Sequence, residues 1–172
     1  MANLRTHSYG KERVRLTRVR REGREHHLQE YAVDIMLFGE FDEVYTEGDN
    51  RACVPTDTMK NSVYVVARRN DFDAPEAFGK QLCHHFLSTY PQVLGTRVSI
   101  EAEQWRRILV GGKPHLHSFV KGHAKRTATV SLGEVTDGQG ERKGPALSGG
   151  VTGLEVFKSS GSAFSNFHRD AL

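Results

Sequence analysis

Val54-Pro55-Thr56-Asp57-Thr58-Met59-Lys60-Asn61 is the stretch where the chain changes its period, and its reading decides the fold. Proline disfavours helical backbone in the residue before it, which holds Val54 extended. Thr56 or Asp57 is a good helix N-cap, because a short polar side chain accepts from the free N–H groups of a first turn. Met59, Val63 and Val66 follow at helical spacing, so a helix is expected from near Thr58 to Arg69. Asn70-Asp71-Phe72-Asp73 breaks it. A second helix is expected from near Pro75, with Phe78, Leu82 and Phe86 in a stripe four residues apart, ending before Pro91.

Outward from this helical pair the period becomes two. Upstream, Tyr31, Val33, Ile35 and Leu37 alternate with Ala32, Asp34, Met36 and Phe38, a strand with two faces. Val14 and Leu16 mark a weaker alternation from Arg13 to Val19, and Arg20-Arg21-Glu22-Gly23-Arg24 suits the hairpin connection between the two. Downstream, Thr96, Val98 and Ile100 alternate in a strand that continues past Trp105 towards Leu109. Gly111-Gly112-Lys113-Pro114 reads as a turn, and Ala128, Val130 and Leu132 share a face in the strand region that Phe119 opens. Asp137 to Gly150 is rich in glycine and charge and reads as a loop or linker. Val151 to Lys158 reads as one further strand with no partner visible in the sequence, and so as an association edge. The order strand-strand-helix-helix-strand-strand defines an α+β arrangement, an antiparallel sheet with both helices packed on one face.

Composition narrows the function classes. Apolar residues make up 37% and charged residues 26% of 172, a soluble, globular balance. No apolar run approaches the roughly 20 residues of a membrane span, and the N-terminus has no apolar signal region. Cys53 and Cys83 form neither a disulfide framework nor a metal spacing, from which a reducing, cytoplasmic setting is expected. Six arginines between Arg13 and Arg24 could face a nucleic acid, but no interleaved aromatics offer stacking platforms, and a solvated or subunit-facing hairpin explains them better.

Three groups could carry chemistry. A helix beginning near Thr56 and Asp57 presents free N–H groups and the positive end of a dipole, which together can hold an anion. An ordinary N-cap is the plain alternative. Lys11, in Tyr9-Gly10-Lys11, is a surface charge unless it lies beside a hydroxyl and an anionic substrate, where it could relay protons. His115 and His117 share a strand face if that segment is extended, yet no third ligand stands at a recognised spacing, so no metal is expected.

Taken in order, seven segments resemble the urate oxidases. They are Tyr9-Gly10-Lys11 with Val14-Arg15-Leu16; Tyr45-Thr46-x-Gly48-Asp49-Asn50; Val54 to Asn61; His85-Phe86-Leu87; Gly112-Lys113-Pro114-His115-x-His117-Ser118-Phe119; Gly153-Leu154-x-Val156-x-Lys158-Ser159; and Ser162-x-Phe164-x-x-Phe167-x-Arg169-Asp170. The resemblance implies the tunnelling fold, ββααββ units that oligomerise into β-barrels, usually as a homotetramer. Residues 1–136 would form the first such domain, and 137–172 a linker with the first strand of an incomplete second one.

It also implies cofactor-free oxidation of urate by O2 to 5-hydroxyisourate and hydrogen peroxide. By position, Lys11 and Thr56 match the family's catalytic lysine–threonine pair, Thr56 and Asp57 would bind urate through backbone N–H groups, and Phe164 of a neighbouring subunit would stack on the purine. The chain departs from the family where it reads Arg169-Asp170-Ala171-Leu172, and at Asn166 and Arg51, where glycine and serine are usual. The family's charged clamp on urate has no counterpart here, and charge-assisted bonds contribute about 1.5–3 kcal/mol each. A complementary C-terminal fragment is therefore expected to complete the enzyme. The alternatives are a non-catalytic assembly or binding module that kept the fold, and a nucleic-acid binder. Pterin-processing enzymes share the fold, but their zinc-ligand pattern is not evident.

Overall fold

The structure, a computed structural model, describes residues 7–136, 139–161, 165–166 and 168. Two long strands, β1 (Tyr9–Glu22) and β2 (Glu25–Gly39), form the first hairpin about Gly23, whose φ of 59° lies in the left-handed region that favours glycine. After a one-turn helix α1 (Asp42–Thr46) come α2 (Thr56–Arg69) and α3 (Pro75–Thr89). The second hairpin, β3 (Val93–Val110) with β4 (Lys113–Gly133), turns on Gly111 and Gly112, both at positive φ. Short β5 (Val135–Thr136) and β6 (Arg142–Lys143) pair with each other, and β7 (Ala146–Thr152) is the last strand among the described residues. The main sheet is antiparallel throughout, in the order β1-β2-β3-β4-β7.

Packing follows the alternation. Val14, Leu16, Tyr31, Val33, Ile35, Leu37, Val98, Ile100 and Val130 point to one face and are buried. Against them α2 presents Met59, Val63 and Val66, and α3 presents Phe78, Leu82 and Phe86. Helix α2 covers β1, while α3 covers β3 and β4. Gly79 lets α3 approach closely, since a Cβ there would stand 2.9 Å from Val130 Cγ2. The opposite face is polar: Ser99 and Thr129 hydroxyls lie 3.1 Å apart, and Lys125 donates to Glu101 at 2.8 Å.

Three sequence expectations need correcting. Thr56 and Asp57 are not the N-cap of α2; Pro55 holds that position (φ −57°, ψ 139°), and its carbonyl accepts from Met59 N–H at 3.0 Å. No side chain caps this helix, so the Thr56 hydroxyl is not used for that purpose. The last strand runs from Ala146 rather than Val151, and it has a partner, pairing with β4 from Ser131 to Lys125. Its glycines suggested a loop, but backbone bonds to β4 carry a strand whatever its side chains, and Gly153 at φ 66° ends it. The one-turn α1, too short to leave a periodic trace, was not anticipated.

Candidate active site

Thr56 and Asp57 are the first residues of α2 and are exposed. The opening N–H groups of an α-helix have no partner within it, so this end presents donors and a partial positive charge to solvent. Asp57 turns aside to accept from Lys60 Nζ at 2.8 Å, and that bond, then the Lys60 charge, hold its carboxyl below the usual range. The Lys11 ammonium acts in the same direction, which places β1's lysine within electrostatic reach of the first turn of α2.

Two phenols tie β1 to α2 on either side of Lys11. Tyr9 Oη accepts from Val54 N–H at 2.6 Å and donates to the Val54 carbonyl at 3.3 Å. Tyr64, on α2, donates to the Arg15 carbonyl at 3.1 Å. Tyr9 also packs edge-on against the buried Phe41, with ring centroids 4.8 Å apart. Burial first, and then a contact with the Cys53 thiol, push its phenol pKa well above the ordinary value, so Tyr9 remains a donor at any physiological pH. Gly10 sits between these anchors because nothing larger fits: a Cβ there would lie 1.9 Å from the Ile35 carbonyl oxygen.

Tyr9→Phe is expected to leave Val54 N–H without its partner and to lower stability by about 1–3 kcal/mol, read as a fall in the urea midpoint at unchanged m-value. The segment before Val54 is braced separately. Gln92 Nε2 donates to the Ala52 carbonyl at 2.9 Å, Cys53 N–H to Asn50 at 3.0 Å, and Arg51 pairs with Asp49. The pairing gives Arg51 a local role.

Phe164 lies outside the described residues. The histidine pairs do not assemble a metal centre: among the described residues no group of three or more His, Cys, Asp or Glu side chains could hold an ion. His115 and His117 do share a face, with rings 4.5 Å apart, but His115 Nδ1 is engaged by the His117 N–H at 3.3 Å. Of the N-terminal arginines, Arg18 pairs with Asp71 at 2.7 Å and stacks over Phe72, while Arg20 pairs with Glu22 at 3.0 Å.

His85 joins the two long helices through a 3.1 Å bond between its Nε2 and the buried Ser62 hydroxyl. Burial, and then the nearby Arg69 charge, lower its pKa below 6.5. An unfolded chain therefore takes up that proton first as pH falls, so the stabilisation present above about pH 6.5 is lost as pH falls through the folded pKa. The urea midpoint should decline on acidification over this window, and His85→Gln should flatten the decline. Sequence inspection missed this bond, as it missed the Tyr9 link. Both depend on which helix faces meet.

Comparison with known proteins places this geometry. A crystal structure of uricase from Arthrobacter globiformis superposes with a TM-score of 0.80 at 35% identity, covering 99% of this chain and 55% of that one. Helices on one face of an antiparallel sheet, overlaid so closely, define a tunnelling-fold protein. A uricase of Dictyostelium discoideum is 39% identical over 173 residues, spanning 99% of this chain and 58% of that protein, and Uricase-2 of Phaseolus vulgaris is 40% identical over 165 residues, spanning 94% and 51%. The Uricase family model matches residues 7–131, a span that includes Lys11, Thr56 and Asp57, and the chain belongs to that family. It spans a little over half the length of the curated relatives it matches.

Proposed function

We propose that this chain supplies one bank of a urate oxidase active site, with Lys11 and Thr56 as the proton-handling pair and the first N–H groups of α2 as the seat of the urate anion. The observation that carries the reading is the uncapped N-terminus of α2, tied by Tyr9 to the strand that bears Lys11, in a chain of the uricase family. An anion binds well at such an end. Phe164 would close over the purine from a neighbouring subunit.

The reaction balances without a metal or organic cofactor. Urate, O2 and water give 5-hydroxyisourate and hydrogen peroxide, with two electrons leaving the deprotonated purine to reduce O2. The residues named would hold urate in place and pass protons between substrate, water and oxygen. The remaining length of a uricase would supply the charged clamp, whether on the same polypeptide or as a second fragment. On this reading β7 begins a second tunnelling-fold unit covering residues 137–172 and beyond, and homotetramers close the barrels in a reducing, cytoplasmic setting, consistent with the free thiols of Cys53 and Cys83.

The test is O2 uptake and peroxide release on urate, measured for the chain alone and mixed with a C-terminal uricase half. Turnover that appears or rises sharply with the complement supports the reading. Failure of the mixture both to bind and to oxidise urate would exclude it and leave the assembly-module alternative.

A further inference from the structure

Lys11 lies on the helix side of β1, three residues before Val14, because the strand is bulged between them. In the β1–β2 ladder Lys11 stands opposite Ile35, and the next partner pair is Val14 with Val33. Three steps on β1 thus match two on β2, a β-bulge spanning Glu12 and Arg13. Residues directly opposite in an antiparallel ladder project to the same face. Ile35 and Val33 are both buried beneath the helices, so Lys11, Tyr9 and Val14 all project to the helix side.

A regular strand counted back from Val14 would put residues 12 and 10 on that side and turn Lys11 to the opposite, polar face, since side chains alternate with a period of two. Setting Glu12 and Arg13 together opposite the single Asp34 keeps Lys11 and Val14 on one face. It also demands an unusual backbone: Arg13 has φ 55°, a left-handed conformation uncommon outside glycine, asparagine and aspartate. Asp34 on β2 holds it there, its Oδ1 accepting from Arg13 N–H at 2.6 Å.

We infer that the Glu12–Arg13 bulge, latched by the Asp34 carboxylate, is the device that aims Lys11 at the N-terminus of α2, making Asp34 a positioning residue for the proton-handling pair. The inference rests on the reading of Lys11 and Thr56 given above, but its structural half is testable without urate. The probe is the Asp57 carboxyl, titrated by carbon NMR. In the parent chain, Lys11→Met should raise the Asp57 pKa by removing a nearby positive charge. In Arg13→Val, whose branched side chain disfavours positive φ, the bulge is opposed and a regular strand turns Lys11 to the other face, so the same substitution should leave Asp57 unmoved.

A second set of variants serves if Arg13→Val does not fold. Asp34→Ala should weaken the Lys11–Asp57 coupling and lower urate oxidation by the complemented assembly by about 10²-fold, as displacement of a reacting group by about an ångström does. Asp34→Asn keeps an acceptor and should retain both. Arg13→Gly, which adopts positive φ without strain, should restore both in the Asp34→Ala background. A merely structural aspartate would show no such rescue of the coupling.

Equal Asp57 responses to Lys11→Met in the parent and folded Arg13→Val, or in the parent and Asp34→Ala, would overturn the inference. If the coupling behaves as expected but the complemented parent does not oxidise urate, the aiming device stands and the oxidase reading falls.

Discussion

Lys11→Met in the complemented assembly is expected to lower the urate oxidation rate by about 10²–10⁴-fold, the range over which a positioned proton-transfer group contributes. Methionine keeps the length and apolar stem of lysine but can neither donate nor accept a proton. Because Lys11 lies on the helix face of β1, beside a helix end that would itself hold the anion, KM should change much less than kcat. Steady-state rates of O2 consumption over a range of urate concentrations separate the two. A variant that lost affinity but kept its maximal rate would reassign Lys11 from proton handling to simple charge attraction.

The second large effect falls on stability. Phe78→Ala should cost about 3–5 kcal/mol, the range for removing a buried aromatic ring. Phe78 is fully buried, stacks on Phe72 with ring centroids 4.3 Å apart, and lies 6.1 Å from the Tyr31 ring. It therefore connects the loop between α2 and α3 to the middle of β2. Domains are stable by only about 5–15 kcal/mol in total, so much of the margin should disappear. A urea titration that shifts the midpoint by less than 1 M would indicate a core that relaxes around the gap; slopes of about 1–3 kcal/mol per M are usual for chains of this size.

The parts of the fold legible in the sequence were those that rest on period. Tyr31 to Leu37, Met59 to Val66 and Phe78 to Phe86 announced their faces because each must bury one side, and all are buried as expected. Boundaries set by backbone bonding were harder to read. Ala146 to Gly150 carries too little side chain to show an alternation, yet β4 offers it a complete ladder.

The site divides along the same line. Thr56, Asp57 and Lys11 could be picked as candidates from the motifs around them, whereas the contacts that tie β1 to the start of α2 could not. Tyr9 reads as an ordinary strand tyrosine until its hydroxyl is seen on Val54, 45 residues away. Arg13 and Asp34 look like two unrelated surface charges. A bulge is invisible without a partner strand to count against, and here it decides which side of the sheet a lysine occupies.

Among the described residues the central apolar cluster lies between Val14 and Val130, and the helices pack mainly on β1, β3 and β4. The layer closes on itself before β7 is needed. On the ribosome, where chains emerge from the N-terminus and self-contained units fold as they appear, this part can settle while translation continues. Segments that follow then meet a finished surface on which to assemble.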